Sequence, residues 1–277
     1  MAKPREGLPG NSGHMHVSIV DKSGKNLFYR GSKDANPEYP DLAHLSDMGR
    51  HFLAGLLDGL PDIMPIVAPT VNSYKRLVEN FWAPVTVSWG LEHRAASIRL
   101  IAPPTSSPKA TRFEIRVPGA DANPFYVLAA ILALGWRGVE KKMKIEVAPL
   151  GKGEEVGGES DKGLRLAKSL KEANARFMRK ESVAREVFGD EFVEHFGGTR
   201  DHETRVWDEA VTDWCVLPLY THSLMMNTDS CLIGRLEDTS RLFDGNDHVS
   251  LSPSKYLNRQ MNVISRRIAS SEPLNPP

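Results

Sequence analysis

The chain has 277 residues, of which 40% are hydrophobic and 25% charged, with 35 basic residues, 35 acidic residues and a formal net charge of zero. These are ordinary values for a globular protein of one large or two small domains. The balanced charge argues against a nucleic acid or an anionic membrane as the main partner, since both require a clustered positive excess. No apolar run reaches membrane-spanning length, and the two cysteines, Cys215 and Cys231, outline no disulfide framework. The N-terminal residues lack the apolar core of a signal peptide, so we expect a cytoplasmic location.

The first half of the chain predicts short strands around one amphipathic helix. Apolar residues at helical spacing over residues 42–60 predict a helix that begins at Asp41 or Ser46. A polar turn after the first strand, with apolar residues resuming at 27–29, predicts a hairpin. Strands are expected near residues 14–20, 85–90, 95–101 and 111–117.

Helices dominate the expectation after residue 120. Asn123-Pro124 is an N-cap followed by proline at the first helical position, and the apolar helix behind it is predicted to be buried. A surface helix is predicted over residues 161–180, a short helix after Ser182, and another near residues 206–214. Residues 215–277 follow neither period for long, so we expect two parts: a domain over 1–214 and an atypical tail over 215–277.

Two predicted strands carry polar groups on one face. Because successive side chains alternate between faces, His14, His16 and Ser18 share one side of the first strand. Alternation also groups Arg112, Glu114 and Arg116 on the last. Histidine and glutamate are nitrogen and oxygen ligands that suit Mg²⁺, with Mn²⁺ as an alternative. A solvated histidine pair and a cross-strand ladder of ion pairs explain the same residues without any ligand.

Additional cations in the same central block favour a ligand rich in oxyanions. These cations stand at strand ends and turns: Arg76, Arg94, Arg99 and Lys109. An enzyme that binds ATP phosphates and a carboxylate substrate needs such a set, because guanidinium is planar, permanently charged and bidentate toward oxyanions. No GxxxxGK[ST] motif occurs, so a nucleotide site here is not of the P-loop kind.

Several segments, taken together, resemble the glutamine synthetase family. Residues 10–18, preceded by Lys3-Pro4, resemble its ATP-binding signature, and residues 72–78 with 83–85 resemble its glutamate-binding segment. Residues 89–99, 107–116 and 121–124 continue the match in the family's order and near its spacing. The resemblance covers roughly residues 3–214.

The resemblance implies a role for each residue around the metal and the amino acid. His14 and Glu114 would hold the metal ion beside the ATP phosphates. Gly10 would lie near the glutamate backbone, with Arg76 on a substrate carboxylate. Arg116 would contact the transferring phosphoryl group and the glutamate side chain.

It also implies a nucleotide site. His16 and Ser18 would approach the nucleotide, and Lys109 would serve its far end. Arg94, Arg99 and Arg112 would serve the phosphates, with Arg94 joining Arg116 in catalysis.

The implied fold is α+β, with antiparallel strands curved into a partial barrel and helices outside. The implied reaction is the ATP-dependent ligation of ammonia or another amine to the γ-carboxylate of glutamate, through a γ-glutamyl phosphate. Mg²⁺ or Mn²⁺ would be the cofactor, and family members assemble into homo-oligomeric rings.

The sequence also departs from the family. The family's N-terminal β-grasp domain, further metal-binding glutamates and ammonium-site carboxylates have no counterpart here, and Pro9 replaces a frequent asparagine. We therefore expect an incomplete catalytic domain with low or absent amide synthesis. The tail over 215–277 is interpreted either as a gene-model artefact or alternative reading frame, or as a regulatory or interaction segment. Three alternatives stay open: a γ-glutamyl-polyamine or amine ligase, a non-catalytic structural relative, and a phosphagen-kinase-like phosphotransferase.

Overall fold

The computed structural model of the chain describes residues 1–79, 81–151 and 164–212. The strands are β1 (Met15–Val17), β2 (Trp89–Leu91), β3 (Ile98–Ile101) and β4 (Arg112–Ile115). The helices are α1 (Asp47–Gly59), α2 (Met64–Val67), α3 (Val71–Tyr74), α4 (Pro124–Glu140), α5 (Leu170–Phe177), α6 (Val183–Phe188) and α7 (Asp190–Glu209). Short 3₁₀ helices occupy Pro40–Leu42, Leu60–Ile63 and Pro108–Ala110. The content is mixed α and β, as predicted.

The four strands form one open sheet in the order β1-β4-β3-β2. β4 lies in the middle and pairs antiparallel with both β1 and β3. β2 pairs with β3 in parallel, so the expectation of antiparallel strands is wrong for this pair. Residues 92–97 return the chain to the same end of the sheet and impose this direction. The sheet is not closed within the described residues, and the strands are shorter than predicted.

The sheet has one apolar and one polar face, as the alternation predicted. Phe113 and Ile115 of β4 are buried in the main hydrophobic core. The Phe113 ring centroid lies 4.9 Å from that of Phe28, and Phe52 of α1 stacks on Phe113 at 6.0 Å. Aromatic packing of this kind fixes the plane of the sheet, and hence the direction in which its polar face points.

Helices α1 and α4 pack closely because each has a glycine where they meet, Gly55 in α1 and Gly138 in α4. A methyl group at Gly55 would overlap the Leu134 carbonyl oxygen and approach the Gly138 Cα to 2.8 Å. Ser46 caps α1 by accepting a hydrogen bond from the Gly49 amide at 3.0 Å. Asn123 caps α4 in the same way, through the Phe125 amide at 3.0 Å. Both caps are as predicted.

The structure corrects the expectation that α4 is buried all round. The face of α4 opposite α1 exposes four large apolar side chains: Phe125, Leu128, Leu132 and Trp136. The apolar composition of a helix does not determine how many of its faces pack against the rest of the protein. In α4 one apolar face is exposed.

Other predicted segments are placed only in part. The surface helix expected over 161–180 is the shorter α5, and residues 152–163 lie outside the described residues, as does the tail 215–277 from Cys215 onward. Ser182 caps α6 through the Ala184 amide at 3.2 Å, as predicted. Within the described part of the chain, no helix is long and apolar enough to cross a membrane.

Candidate functional site

A row of residues in register runs across the polar face of the sheet. The Cα partners are Gly90 with Arg99, Arg99 with Glu114, and Glu114 with His16. A carboxylate on the central strand therefore has a guanidinium on one neighbouring strand and an imidazole on the other. Side chains opposite each other on one face are close enough to interact directly.

Glu114 is the centre of this face. Its Oε1 accepts a hydrogen bond from Arg116 Nη1 at 2.7 Å, and His14 Nδ1 lies 2.9 Å from the same oxygen. Its Oε2 accepts from Arg99 Nη1 at 2.9 Å. Only 4% of the side chain is exposed. Burial alone would raise the pKa of Glu114, but the charge of Arg116 and the Arg99 hydrogen bond lower it below its usual range, so it is a carboxylate at neutral pH.

His14 is a neutral imidazole at neutral pH. Burial and the charge of Arg116 lower its pKa to about 4, although the neighbouring Glu114 carboxylate opposes the shift. The contact with Glu114 assigns the proton of the neutral ring to Nδ1 and leaves a lone pair on Nε2. The ring is therefore oriented by a carboxylate, and its Nε2 lone pair stays free.

Arg116 is a buried cation with an unused donor. Its Nη1 binds Glu114, whereas its Nε is buried and has no hydrogen-bond partner. A buried donor without a partner costs about 1–3 kcal/mol, which a bound oxyanion at this nitrogen would recover. Burial lowers the pKa of Arg116, and the charges of Arg99 and Arg94 lower it further, while Glu114 raises it.

Arg76 lies behind Arg116. Its guanidinium donates to the carbonyl oxygens of Val117 at 2.8 Å and Arg116 at 3.0 Å. Burial lowers the pKa of Arg76 to about 10, which leaves it charged at neutral pH. A methyl group at Gly10 would lie 2.8 Å from Arg76 Cγ, so glycine is what allows the signature loop to contact this side chain.

The other predicted residues lie toward the rim. Arg112 Nε donates to His16 Nδ1 at 3.2 Å, and Arg112 Nη1 donates to the Ala110 carbonyl at 2.8 Å. Ser18 is exposed just past β1, and Lys109 is exposed in the 3₁₀ turn that precedes β4. Arg94 is exposed, and among the described residues it makes no ion pair. The structure thus joins His14, Glu114, Arg99, Arg116 and Arg76 directly, and leaves Lys109 and Ser18 without contact to them.

Sequence reasoning missed two carboxylates beside these arginines. Glu92 pairs with Arg99, and Asp121 Oδ2 accepts hydrogen bonds at 2.9 Å from both Thr70 Oγ1 and Ser73 Oγ. Both residues stand inside segments that match the family, but neither has a metal-binding or catalytic pattern. For Glu92, the only signal in the sequence was its position at the end of a predicted strand. That signal points to Arg99 only once the pairing of β2 with β3 is known.

The charges of this face favour an anionic ligand. Four guanidiniums influence one another's pKa or pair with Glu114, namely Arg76, Arg94, Arg99 and Arg116. Three carboxylates lie among them, Glu92, Glu114 and Asp121, and His14 is neutral. The face therefore has a positive excess, and it has unused donors on Arg116 and Arg94 for a planar bidentate oxyanion.

His14 and Glu114 are the two candidate metal ligands of this face. No group of three or more His, Cys, Asp or Glu side chains that could hold a metal ion occurs in residues 1–79, 81–151 and 164–212. His14 and Glu114 supply one nitrogen and one carboxylate, and Mg²⁺ characteristically takes one or two carboxylates together with waters and substrate phosphates. The pair supplies donor types that suit a cation shared with a phosphorylated ligand rather than one enclosed by protein alone, and such an ion would take the place of the direct His14–Glu114 contact.

Comparison with known proteins defines the class. The family model described as "Glutamine synthetase, catalytic domain" matches residues 1–217. The chain is 42% identical over 220 residues to Type-1 glutamine synthetase 2 of Dictyostelium discoideum, covering 77% of this chain and 39% of that protein. It is 40% identical over 214 residues to glutamate–isopropylamine ligase of a Pseudomonas species, covering 77% and 44%. A solved structure of apo GmaS without ligand matches with a TM-score of 0.62 and 31% identity, over 78% of this chain and 46% of that one.

This chain belongs to the glutamine synthetase family. It spans less than half the length of these relatives. The membership confirms the resemblance read from the sequence.

Proposed function

We propose that this chain forms the nucleotide- and glutamate-binding part of an ATP-dependent ligase. The reaction joins ammonia or another amine to the γ-carboxylate of glutamate through a γ-glutamyl phosphate. One observation carries the proposal: Glu114 is buried at the centre of a polar sheet face, where His14, Arg99 and Arg116 all contact it. The proposed catalytic domain is residues 1–214, and the proposed architecture is a partial barrel of which β1 to β4 form one part.

The phosphate groups would lie over the arginines of β3 and β4. Arg94, Arg99 and Arg112 would bind them, with His16, Ser18 and Lys109 toward the rest of the nucleotide. The rim position of Arg112 and His16, which contact each other, supports a site that continues along the sheet beyond Glu114. Permanent charge and bidentate geometry suit arginine to this task.

Glutamate would lie at the other end of the face. Arg76 and Gly10 are packed together there, and two of the five N–H donors of Arg76 are used by backbone carbonyls. The remaining donors would bind a glutamate carboxylate. Arg116 lies between this end and the phosphates, and its unpartnered Nε would bind the oxyanion that develops as the phosphoryl group moves.

His14 and Glu114 would hold Mg²⁺ or Mn²⁺. When bound, such an ion neutralises phosphate charge during transfer. The chain's own contribution is to keep His14 neutral, through burial and the charge of Arg116, and to orient its ring through the contact with Glu114. Arg99 and Arg116 hold the carboxylate of Glu114 in one position, so it is placed before any ligand arrives.

In the first step, a γ-carboxylate oxygen of glutamate would attack the γ-phosphorus of ATP, and ADP would leave. In the second, the amine would attack the acyl carbon, and inorganic phosphate would leave with the electrons of the C–O bond. The second step also requires a base to remove a proton from the amine, and no described residue of this face is assigned that role. The amine stays open, because the relatives are named as a glutamine synthetase, a glutamate–isopropylamine ligase and a gamma-glutamylethanolamide synthetase.

Binding of ADP in the presence of Mn²⁺ tests the proposal, measured by calorimetry on the wild-type chain and on Glu114→Ala. We expect measurable binding that requires the metal and is abolished in the variant. The matched control is Glu79→Ala, because Glu79 pairs with a single arginine, Arg165, away from the sheet. Unchanged ADP affinity in Glu114→Ala would remove the assigned role. Assays of γ-glutamyl transfer and phosphate release with an amine panel then identify the acceptor, with low turnover expected of this chain alone.

A further inference from the structure

Glu92 is a carboxylate for which the proposed reaction has no use, yet it is tied to the phosphate-binding arginines. It follows β2 directly, and its amide donates to the Leu100 carbonyl at 2.9 Å, which extends the parallel pairing by one step. Its φ is +57°, a backbone region that costs energy for a side chain of this kind. Such strain persists only where neighbouring contacts hold it.

The contacts of Glu92 converge on Arg99. Arg99 Nε donates to Glu92 Oε2 at 2.9 Å, and Arg99 Nη2 donates to the same oxygen. Glu92 Oε1 accepts from Thr105 Oγ1 at 2.9 Å, which ties the carboxylate to the loop that leads toward Lys109. Arg99 Nη1 donates to Glu114. The guanidinium plane is therefore fixed at both ends, by Glu92 on one side and by Glu114 on the other.

We propose that Glu92 is a positioning residue, which holds the Arg99 guanidinium in the orientation that receives a polyphosphate oxyanion. The inference rests on the proposed function only for the identity of the ligand. Three of the five donors of Arg99 are used by the two carboxylates, so two remain, and their direction is set by the contacts with Glu92 and Glu114. A free arginine would have to lose side-chain entropy on binding, whereas one fixed in place has already done so.

Two other roles for Glu92 predict different results. If it merely joins β2 to the 102–107 loop, its removal lowers stability and leaves anion affinity unchanged. If it competes with phosphate for Arg99, its removal strengthens anion binding. Only a positioning role predicts weaker binding.

The experiment measures the Kd for tripolyphosphate without metal or glutamate, on the wild-type chain, Glu92→Gln and Arg99→Lys. Glutamine keeps the shape and one acceptor but loses the charge, so we expect a Kd about three- to tenfold higher. In an Arg99→Lys background, Glu92→Gln should have no further effect, because the planar fork that it positions is gone. The control is Glu186→Gln, which removes a carboxylate from Arg137 on the helical side of the molecule; its Kd should equal the wild-type value.

An unchanged or lower Kd in Glu92→Gln overturns the inference, as does an effect of the same size in the Arg99→Lys background. Failure of the wild-type chain to bind tripolyphosphate overturns it too. If Glu92→Gln does not fold, Thr105→Ala takes its place, since it frees Glu92 Oε1 and should raise the Kd by a smaller factor. A different result would contradict the proposed function: metal-dependent ADP binding that is unchanged in Glu114→Ala.

Discussion

Two buried carboxylates of this protein are each held by two arginines, and they differ in what they leave unsatisfied. Asp62 lies in the 3₁₀ helix after α1, where its Oδ1 accepts from Arg176 Nε at 2.6 Å and Arg179 Nη2 at 3.2 Å. Its Oδ2 accepts from the Val183 amide at the start of α6, at 2.8 Å. Asp62 thus joins three separate segments, and its hydrogen bonds are complete.

Glu114 has as many partners, but the group around it is not complete. The side chains of its arginines, Arg99 and Arg116, are 17% and 9% exposed, against 32% and 49% for Arg176 and Arg179. Arg116 also has a buried nitrogen without a partner. The arginines that bind Asp62 are exposed enough for water to solvate them if Asp62 is removed. The arginines that bind Glu114 are enclosed and have N–H groups without a partner. The comparison separates a structural ion pair from one built to receive a ligand.

The largest stability effect is expected at Asp62. Asp62→Ala removes a buried carboxylate that joins three segments and leaves the Val183 amide without its acceptor, so we expect the free energy of unfolding to fall by about 3 kcal/mol. Urea denaturation of the wild type and the variant measures this. A loss below about 1 kcal/mol would mean that water replaces the carboxylate at little cost, and would contradict the structural role given to it.

Glu114→Gln should lose less stability but respond strongly to anions. Glutamine still accepts hydrogen bonds, so we expect a loss of about 1–2 kcal/mol. The enclosed guanidiniums then lack a counter-charge, so sulfate should raise the Tm of Glu114→Gln by more than chloride does at equal ionic strength. The sulfate-induced rise should also be larger in Glu114→Gln than in Asp62→Asn. Equal responses in the two variants would erase the distinction between the two carboxylates.

The sequence indicated most of the polar face and little of its surroundings. Period-two alternation placed His14, Glu114 and Arg116 on faces that the structure brings together, and the order of the family-like segments pointed to the same set. The Glu92–Arg99 contact was not readable, because it depends on a parallel pairing of β2 with β3 across a short return. The exposed face of α4 was missed for a related reason: which helix faces are covered is decided by neighbours far along the chain, and no local pattern records it.

The buried Nε of Arg116, which has no hydrogen-bond partner, is expected to bind an oxyanion. In the wild type, sulfate should raise the Tm by about 2 °C, and Arg116→Gln should abolish this rise because it removes the buried donor. Arg176→Gln is the matched control, since it removes one arginine from the structural pair and should leave the sulfate response intact. The experiment is differential scanning fluorimetry at several sulfate concentrations.

A third, half-buried carboxylate completes the comparison and gives the smallest effect. Asp34 accepts from Arg50 Nη2 at 2.6 Å and from Arg30 Nη1 at 3.3 Å. The hydrogen bond from Arg50 lowers the pKa of Asp34 below its ordinary value, so the folded state binds a proton at Asp34 less readily than the unfolded state does. Its contribution to stability is therefore present at neutral pH and is lost as the pH falls through and below the ordinary carboxyl range. The Tm difference between the wild type and Asp34→Asn should be small at pH 7 and should shrink as the pH is lowered below the ordinary carboxyl range. A difference that grows on acidification has the opposite sign and would show that the arginines stabilise the protonated form.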